Sequence, residues 1–297
     1  MKFLNFIAVL MTFWQLSTTQ TVHPPPITDM ETFRTAFHKA KHIVVITGAG
    51  ISAGSGIPTF RGPGGLWRNN SALKLATYES FMKRPSLVWE FYHYRRELVL
   101  TKKPNAAHLA LAQFEKYLEK EGLNRSFTLI TQNVDGLHIA AGSRNVIELH
   151  GDLFKTKCLK CKQVVENRDS PICEALRGRG DPSIKTDGPD IPEEKLPRCK
   201  NESCNGLLRP HIVWFGEYLD KANSKRAESA LNKCDFCLVI GTCSKVYPAA
   251  LYARELADDD VPIAEFNIEE TEDTYRFRYH LRGESVTTVP EALKEYL

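Results

Sequence analysis

Four of the eight cysteines in this 297-residue chain sit in two short hooks, Cys158-Leu-Lys-Cys161 and Cys199-Lys-Asn-Glu-Ser-Cys204. Two such thiolate hooks close a tetrahedral zinc site with arms of about 2.3 Å per sulfur. Four cysteines leave no coordination position open, so this metal would be structural rather than catalytic. Just upstream, Glu148-Leu-His-Gly151 places His150 where the texture of the chain changes. An imidazole with an ordinary pKa of about 6.5 can take a proton from a hydroxyl at physiological pH. A third constellation occupies residues 46–61, Ile-Thr-Gly-Ala-Gly-Ile-Ser-Ala-Gly-Ser-Gly-Ile-Pro-Thr-Phe-Arg. Its glycines at 48, 50, 54 and 56 let the backbone turn and approach a ligand closely. A glycine loop fed by a strand aims backbone N–H groups at phosphate. The spacing Gly-x-Gly-x-x-x-Gly misses the dinucleotide fingerprint by one residue, and residues 48–78 contain no acid. A hydride-transfer domain places an acid about 20 residues on for the ribose hydroxyls. The loop therefore reads as a nucleotide loop, but not as that of an ordinary dehydrogenase.

The elements that must position these groups follow from the apolar pattern. The β-branched run at 42–46 reads as a buried strand leading into the glycine loop. Residues 127–131 read as the next one and run directly into Gln132-Asn-Val-Asp135. Similar strand-to-polar transitions occur at 237–242, followed by Ser244, and at 262–267. In open parallel sheets the ligand lies beyond the carboxyl ends of strands. Between these runs the spacing predicts helices over 28–41, with Thr28 and Glu31 as a capping box, and over 85–100 and 106–121. Phe33, Ala36 and Phe37 should face the core, and Val88, Phe91, Tyr92 and Arg95 lie near one helix face. Residues 290–297 read as a closing helix. This alternation predicts an α/β fold, a doubly wound parallel-sheet Rossmann-like domain with a smaller inserted zinc-binding module. The core would comprise 28–150 and 209–297 and the module about 151–208, the two together forming one unit over 28–297.

Composition narrows the classes further. A formal net charge of +3 is too mild to argue for nucleic acid, and no basic-aromatic stripe is present. The segment 1–16 has one Lys, no acid and an apolar run from Phe6 to Trp14 broken only by Thr12. It is too short to span a bilayer. In composition it is closer to a secretory signal than to an Arg-rich transit peptide. Pro24-Pro-Pro26 continues it as a linker, so 1–27 reads as targeting sequence outside the fold. Cys234 and Cys237 lead into an apolar strand and read as buried thiols, whereas Cys173 and Cys243 have no assigned structural role.

Gly48-Ala-Gly-Ile-Ser52, Ile57-Pro-Thr-Phe-Arg61, Thr131-Gln-Asn-Val-Asp135, Leu149-His-Gly151, the two hooks and His211-Ile-Val-Trp-Phe-Gly216 together resemble the sirtuins, NAD⁺-dependent protein lysine deacylases. The likeness runs over residues 30–295. Ala76-Thr77, Val88-Trp-Glu-Phe-Tyr-His-Tyr-Arg-Arg-Glu97 and Val246-Tyr-Pro-Ala-Ala250 are similar to one branch, the mitochondrial sirtuin-5 type, which removes succinyl, malonyl and glutaryl groups.

The resemblance implies a set of roles. Gly48, Ala49, Gly50, Ser52, Gly54, Pro58, Thr59, Phe60, Arg61 and Trp67 would wrap NAD⁺, with Phe60 and Arg61 on a mobile segment over the nicotinamide ribose. Gln132, Asn133, Val134 and Asp135 would hold the ribose and the nicotinamide pocket. Gly241, Thr242, Cys243, Asn267, Ile268 and Glu269 would take the adenosine half, with Ser285 as a last adenine contact. His150 would be the general base. In the family reaction the acyl-lysine oxygen attacks C1′ of the nicotinamide ribose, and the products are nicotinamide, free lysine and 2′-O-acyl-ADP-ribose. A strand at 213–217, through Val213 and Phe215, would flank the substrate peptide together with Val246 and Tyr247 by strand addition. Cys158, Cys161, Cys199 and Cys204 would hold one structural zinc ion.

The acyl preference has a physical basis of its own. Tyr92 and Arg95 are three apart on a helix, so a phenol and a guanidinium can converge on one point. Arginine is the natural bidentate partner of a carboxylate. An acetyl group would leave that buried cation unmatched, at a cost of about 1–3 kcal/mol. Ala76 leaves room for a longer chain. The resemblance also implies acyl-lysine proteins as partners, no nucleic acid, no membrane span, a monomer, and residence in the mitochondrial matrix with some cytosol and nucleus. Two other readings stay open at this point: a sirtuin acting chiefly as deacetylase or ADP-ribosyltransferase, and a non-catalytic NAD-sensing zinc-ribbon module.

Overall fold

The structure is a computed structural model that describes residues 24–59, 65–120, 124–184, 188–201 and 203–297. The leader as far as residue 23 lies outside them, as do Phe60 and Arg61. Numbering elements in chain order, helix α1 (Met30–Phe37) precedes β1 (His42–Thr47) and the one-turn α2 (Ala49–Ala53). A small ribbon, β2 (Leu66–Trp67) and β3 (Asn70–Ser71), leads to α3 (Ala72–Leu75), α4 (Tyr78–Lys83), α5 (Pro85–Leu100) and α6 (Ala106–Lys120). Next come β4 (Ser126–Thr131), α7 (Leu137–Ala141), β5 (Val146–Glu148), β6 (Gly151–Cys158), β7 (Val164–Glu166) and β8 (Leu208–Ile212). The chain closes with α8 (Lys221–Leu231), β9 (Phe236–Ile240), α9 (Ala249–Asp258), β10 (Ile263–Asn267), β11 (Tyr279–Arg282) and α10 (Ser285–Leu293).

Six strands form a parallel sheet in the order β11-β10-β9-β1-β4-β5. Alternate residues of each strand face opposite layers. Ile43, Val45, Leu129, Leu238 and Phe266 pack with Phe33, Phe37, Phe114 and Leu293 of α1, α6 and α10. Val44, Ile46, Ile130, Cys237 and Val239 pack with Leu231, Tyr252 and Leu256 of α8 and α9. Strand β1 is flanked by β4, which follows it directly among the sheet's strands, and by β9, which comes much later. The strand order therefore reverses at the β1–β9 boundary, and such a switch point opens a crevice beyond the strand ends.

The second layer system is a three-stranded antiparallel sheet, β7-β6-β8, packed on α5. Helix α5 is not amphipathic: eleven of its sixteen residues are buried, including Glu90, Arg95 and Arg96. The expected single apolar face is thus replaced by burial nearly all round. Trp89 Nε1 donates to Leu208 O (2.9 Å) and Arg96 to Leu153 O (2.7 Å), so side-chain donors as well as apolar contacts fasten α5 to the sheet.

Several expectations need correcting. The N-cap of α1 is Asp29, whose Oδ2 accepts from Thr32 N at 2.7 Å, and not Thr28. A carboxylate one residue later satisfies the same orphan N–H groups. The closing helix begins at Ser285 and carries Pro290 inside it. Residues 213–217 are not a strand: β8 ends at Ile212, and only an isolated bridge links Phe215 to Thr77. Phe215 N donates to Ala76 O at 3.0 Å there, which anchors the segment without continuing the sheet.

Candidate active site

The crevice at the switch point is a cleft of about 1030 Å³ running between the parallel sheet and the α5 layer. At its sheet end two strand termini cross almost in contact. Gly48 N donates to Ile240 O (3.0 Å) and Gly50 N to Gly241 O (2.7 Å). A Cβ at Gly50 would lie 2.7 Å from Gly241 Cα, and one at Gly48 would lie 2.8 Å from Gly241 O. Close backbone approach, not a left-handed φ, therefore demands glycine at both positions.

A polar network lies beneath this crossing. Asn133 Nδ2 donates to Gly48 O (3.0 Å) and to Ser52 Oγ (3.2 Å), and Ser52 Oγ donates to Asp135 Oδ2 (2.8 Å). Burial raises the Asp135 carboxyl above its ordinary pKa, opposed by donation from Leu137 N and Ser52 and by the Arg95 charge. On the β9–β10 side, Gln132 Nε2 donates to Thr242 Oγ1 (3.2 Å) and Asn267 Nδ2 to Thr242 O (2.9 Å). Lys245 and Glu272 pair at 2.7 Å nearby.

His150 lines the cleft from the junction of β5 and β6. Its Nδ1 is 3.0 Å from Gln132 O. A carbonyl can only accept, so Nδ1 carries the proton and Nε2 keeps its lone pair. Burial lowers the pKa of this imidazole, with the Gln132 hydrogen bond acting in the opposite sense. Gly151, at φ +85, lets the chain turn onto β6: a Cβ there would lie 2.1 Å from His211 O.

On its α5 side the cleft is lined by Tyr92 and Arg95 of that helix, with Ala76 and with Trp214, which hydrogen-bonds Tyr92. Tyr92 and Arg95 are 1% and 7% exposed, so both are removed from bulk water. Burial pushes the Tyr92 phenol up to about 12. Burial also lowers Arg95, against the fields of Tyr92 and Asp135, but a guanidinium remains charged.

The cleft gathers Gly48, Ala49, Gly50, Ser52, Pro58, Thr59, Gln132, Asn133, Val134, Asp135 and His150 from the first half of the chain. It also gathers Gly241, Thr242, Cys243, Asn267, Ile268 and Glu269, and Val213, Phe215, Val246 and Tyr247. Three expected contacts do not line it. Gly54 packs against α10, where its Cβ would meet Val286 Cγ1 at 2.2 Å. Trp67 points into the α5 layer and donates to Gly180 O at 3.0 Å. Ser285 is buried as the first residue of α10. Trp214 was the notable omission. Strand alternation would turn it away from Val213 and Phe215, but the segment is not a strand and all three reach the cleft.

Apart from the cleft, the sulfurs of Cys158, Cys161, Cys199 and Cys204 lie within 4.8 Å of one another. Cys158 and Cys204 are 3.6 Å apart and Cys161 and Cys199 3.8 Å. A tetrahedron with arms of about 2.3 Å has edges of about 3.8 Å, so the donors fit zinc. Gly206 completes the cradle, since a Cβ there would press on Cys158 Sγ at 2.7 Å. The hooks tie the end of β6 to the approach to β8. No helix among the described residues is long and apolar enough to cross a membrane.

Comparison with known proteins is consistent with this geometry. A family profile described as the Sir2 family matches residues 48–248. A protein of Daphnia pulex named NAD-dependent protein deacylase is 57% identical over 90% of this chain and 97% of its own. The protein of Danio rerio named NAD-dependent protein deacylase sirtuin-5, mitochondrial, is 56% identical over 91% of this chain and 88% of its own. A crystal structure described as a Sir2 homolog–NAD complex superposes with a TM-score of 0.75 at 36% identity, covering 93% of this chain and 97% of that one.

Proposed function

The chain belongs to the Sir2 family, and from that premise we propose that it is an NAD⁺-dependent protein lysine deacylase for succinyl, malonyl and glutaryl groups. Bound NAD⁺ supplies an electrophilic ribose carbon and nicotinamide as leaving group. The glycine crossing and Thr242 line the nucleotide end, and Asn133, Ser52 and Asp135 fix the polar floor beside the ribose. His150, neutral and with Nε2 unblocked, takes a proton from a ribose hydroxyl; the Gln132 carbonyl holds its tautomer. Arg95 and Tyr92 grip the terminal carboxylate of the acyl chain, and Ala76 leaves space for it. Val213, Phe215, Val246 and Tyr247 border the peptide carrying the lysine. The zinc hooks hold β6 and β8 together behind this end. Phe60 and Arg61 we assign to the nicotinamide ribose from the family resemblance. The relative from Danio rerio is named mitochondrial, and we place this protein there too.

The observation that supports the acyl assignment is a guanidinium and a phenol, both nearly inaccessible, three residues apart on α5 and lining the same cleft. Side-by-side turnover of succinyl-, malonyl-, glutaryl- and acetyl-lysine forms of one peptide tests it. The acidic acyl forms should exceed acetyl by at least about tenfold in kcat/KM. Equal or greater acetyl turnover would instead indicate a deacetylase.

A further inference from the structure

The contact between Trp214 and Tyr92 has a direction. Indole Nε1 lies 2.8 Å from the Tyr92 hydroxyl. An indole N–H only donates, so the phenol oxygen accepts there and its single proton turns elsewhere. Among the described residues no acceptor takes that proton. Tyr92 borders the cleft beside Arg95 and Ala76, so the direction left is into the cavity. With its pKa pushed up to about 12 by burial, the phenol keeps the proton at physiological pH and stays a donor.

Trp214 is itself held firmly. Its ring lies under the Arg209 guanidinium at 3.6 Å and against Phe81 at 5.1 Å. Its backbone N–H donates to Glu217 Oε2 at 2.9 Å, and the same oxygen accepts from Arg209 Nη2 at 2.7 Å. The clamp fixes the indole in one orientation and hence the sense of its bond to Tyr92.

We propose that Trp214 is a positioning residue for acyl selectivity: its N–H fills the acceptor side of the Tyr92 oxygen and aims the phenolic proton at a carboxylate held by Arg95. An acyl chain without a terminal acceptor leaves that aimed proton unmatched. The inference rests on the acidic-acyl reading above and adds the residue that sets the direction of one of its donors.

The test is a double-mutant cycle on the full chain, with kcat and KM measured for succinyl and acetyl forms of one peptide at saturating NAD⁺. Trp214→Phe keeps a ring against Phe81 and Arg209 but removes the N–H. The succinyl-to-acetyl ratio of kcat/KM should fall about five- to tenfold, carried by KM for the succinyl peptide. Trp214→Phe combined with Tyr92→Phe should be no worse in that ratio than Tyr92→Phe alone. Losses that multiply, or a ratio unmoved by Trp214→Phe, overturn the proposal. Should Trp214→Phe misfold, benzothienylalanine at 214 replaces the N–H by sulfur in nearly the same outline and gives the same comparison. If Tyr92→Phe and Arg95→Met also leave the ratio unmoved, the acidic-acyl reading fails and takes this inference with it. If they lower it and Trp214→Phe does not, only the role of Trp214 falls.

Discussion

The two ends of the cleft are built on opposite plans. At the nucleotide end, one sheet brings adjacent strand termini together, and the groups that matter are backbone or lie within a few residues of a strand end: Gly48, Gly50, Asn133, Gly241 and Thr242. At the acyl end, Ala76, Tyr92, Arg95 and Trp214 come from α5 and two irregular segments, brought together by side chains and a shared core. The first plan imposes local geometry, and its specificity resides in steric exclusion. The second imposes direction on a few buried polar groups, and its specificity resides in whether their partners arrive. Substitutions at the two ends should therefore fail differently, and His150 should fail for both acyl classes alike.

The largest effect is expected at His150. His150→Tyr should lower kcat by about 10²–10⁴-fold, for succinyl and acetyl peptides equally, with zinc content of the purified chain unchanged. Nicotinamide release and metal analysis measure this; retained turnover would remove His150 from the base role. Arg95→Met should lower desuccinylation about 10- to 100-fold relative to deacetylation, because it deletes the charge that meets an acidic acyl group. Equal losses on both peptides would show that the two ends are not separable.

Gly50→Ala sharpens the contrast from the other side. Its Cβ meets backbone at 2.7 Å, which cannot swing aside, and overpacking of this kind costs about 1–3 kcal/mol. Thermal unfolding should shift down and KM for NAD⁺ should rise, with the succinyl-to-acetyl ratio preserved. A changed ratio would tie the glycine crossing to acyl choice. The smallest effect concerns pH. Burial disfavours the imidazolium, so the pKa of His150 lies below the ordinary value of about 6.5. The base form then persists as pH falls through 6.5, and the acid limb of the kcat/KM profile should lie below that point. An acid limb above about 6.5 would mean that burial is not what governs this group.

The same contrast explains what could be read from the chain. Four of the six parallel strands, β1, β4, β9 and β10, are legible because each appears as an apolar run ending in polar residues, whereas the short edge strands β5 and β11 carry no such run. The cysteine hooks are legible because metal geometry constrains spacing directly. Trp214 is not legible because strand alternation does not apply to its segment, which is held by backbone bonds from Val213 to His150 and from Phe215 to Ala76, distant in sequence, and by the Arg209–Glu217 pair. Trp67 and Gly54, given nucleotide contacts by the family resemblance, lie instead against α5 and α10. Helix α5 concealed its role in a similar manner, because a helix buried all round carries no amphipathic period to show which residues face a ligand.

The most direct test of the central claim is a crystal structure of the chain with a succinyl-lysine peptide and an unreactive NAD⁺ analogue. The expected result places the succinyl carboxylate within hydrogen-bond distance of both the Arg95 guanidinium and the Tyr92 hydroxyl, with the amide oxygen facing C1′ of the ribose and His150 beside the ribose hydroxyls. A succinyl tail directed to bulk solvent, or an imidazole out of reach of the sugar, would contradict the account.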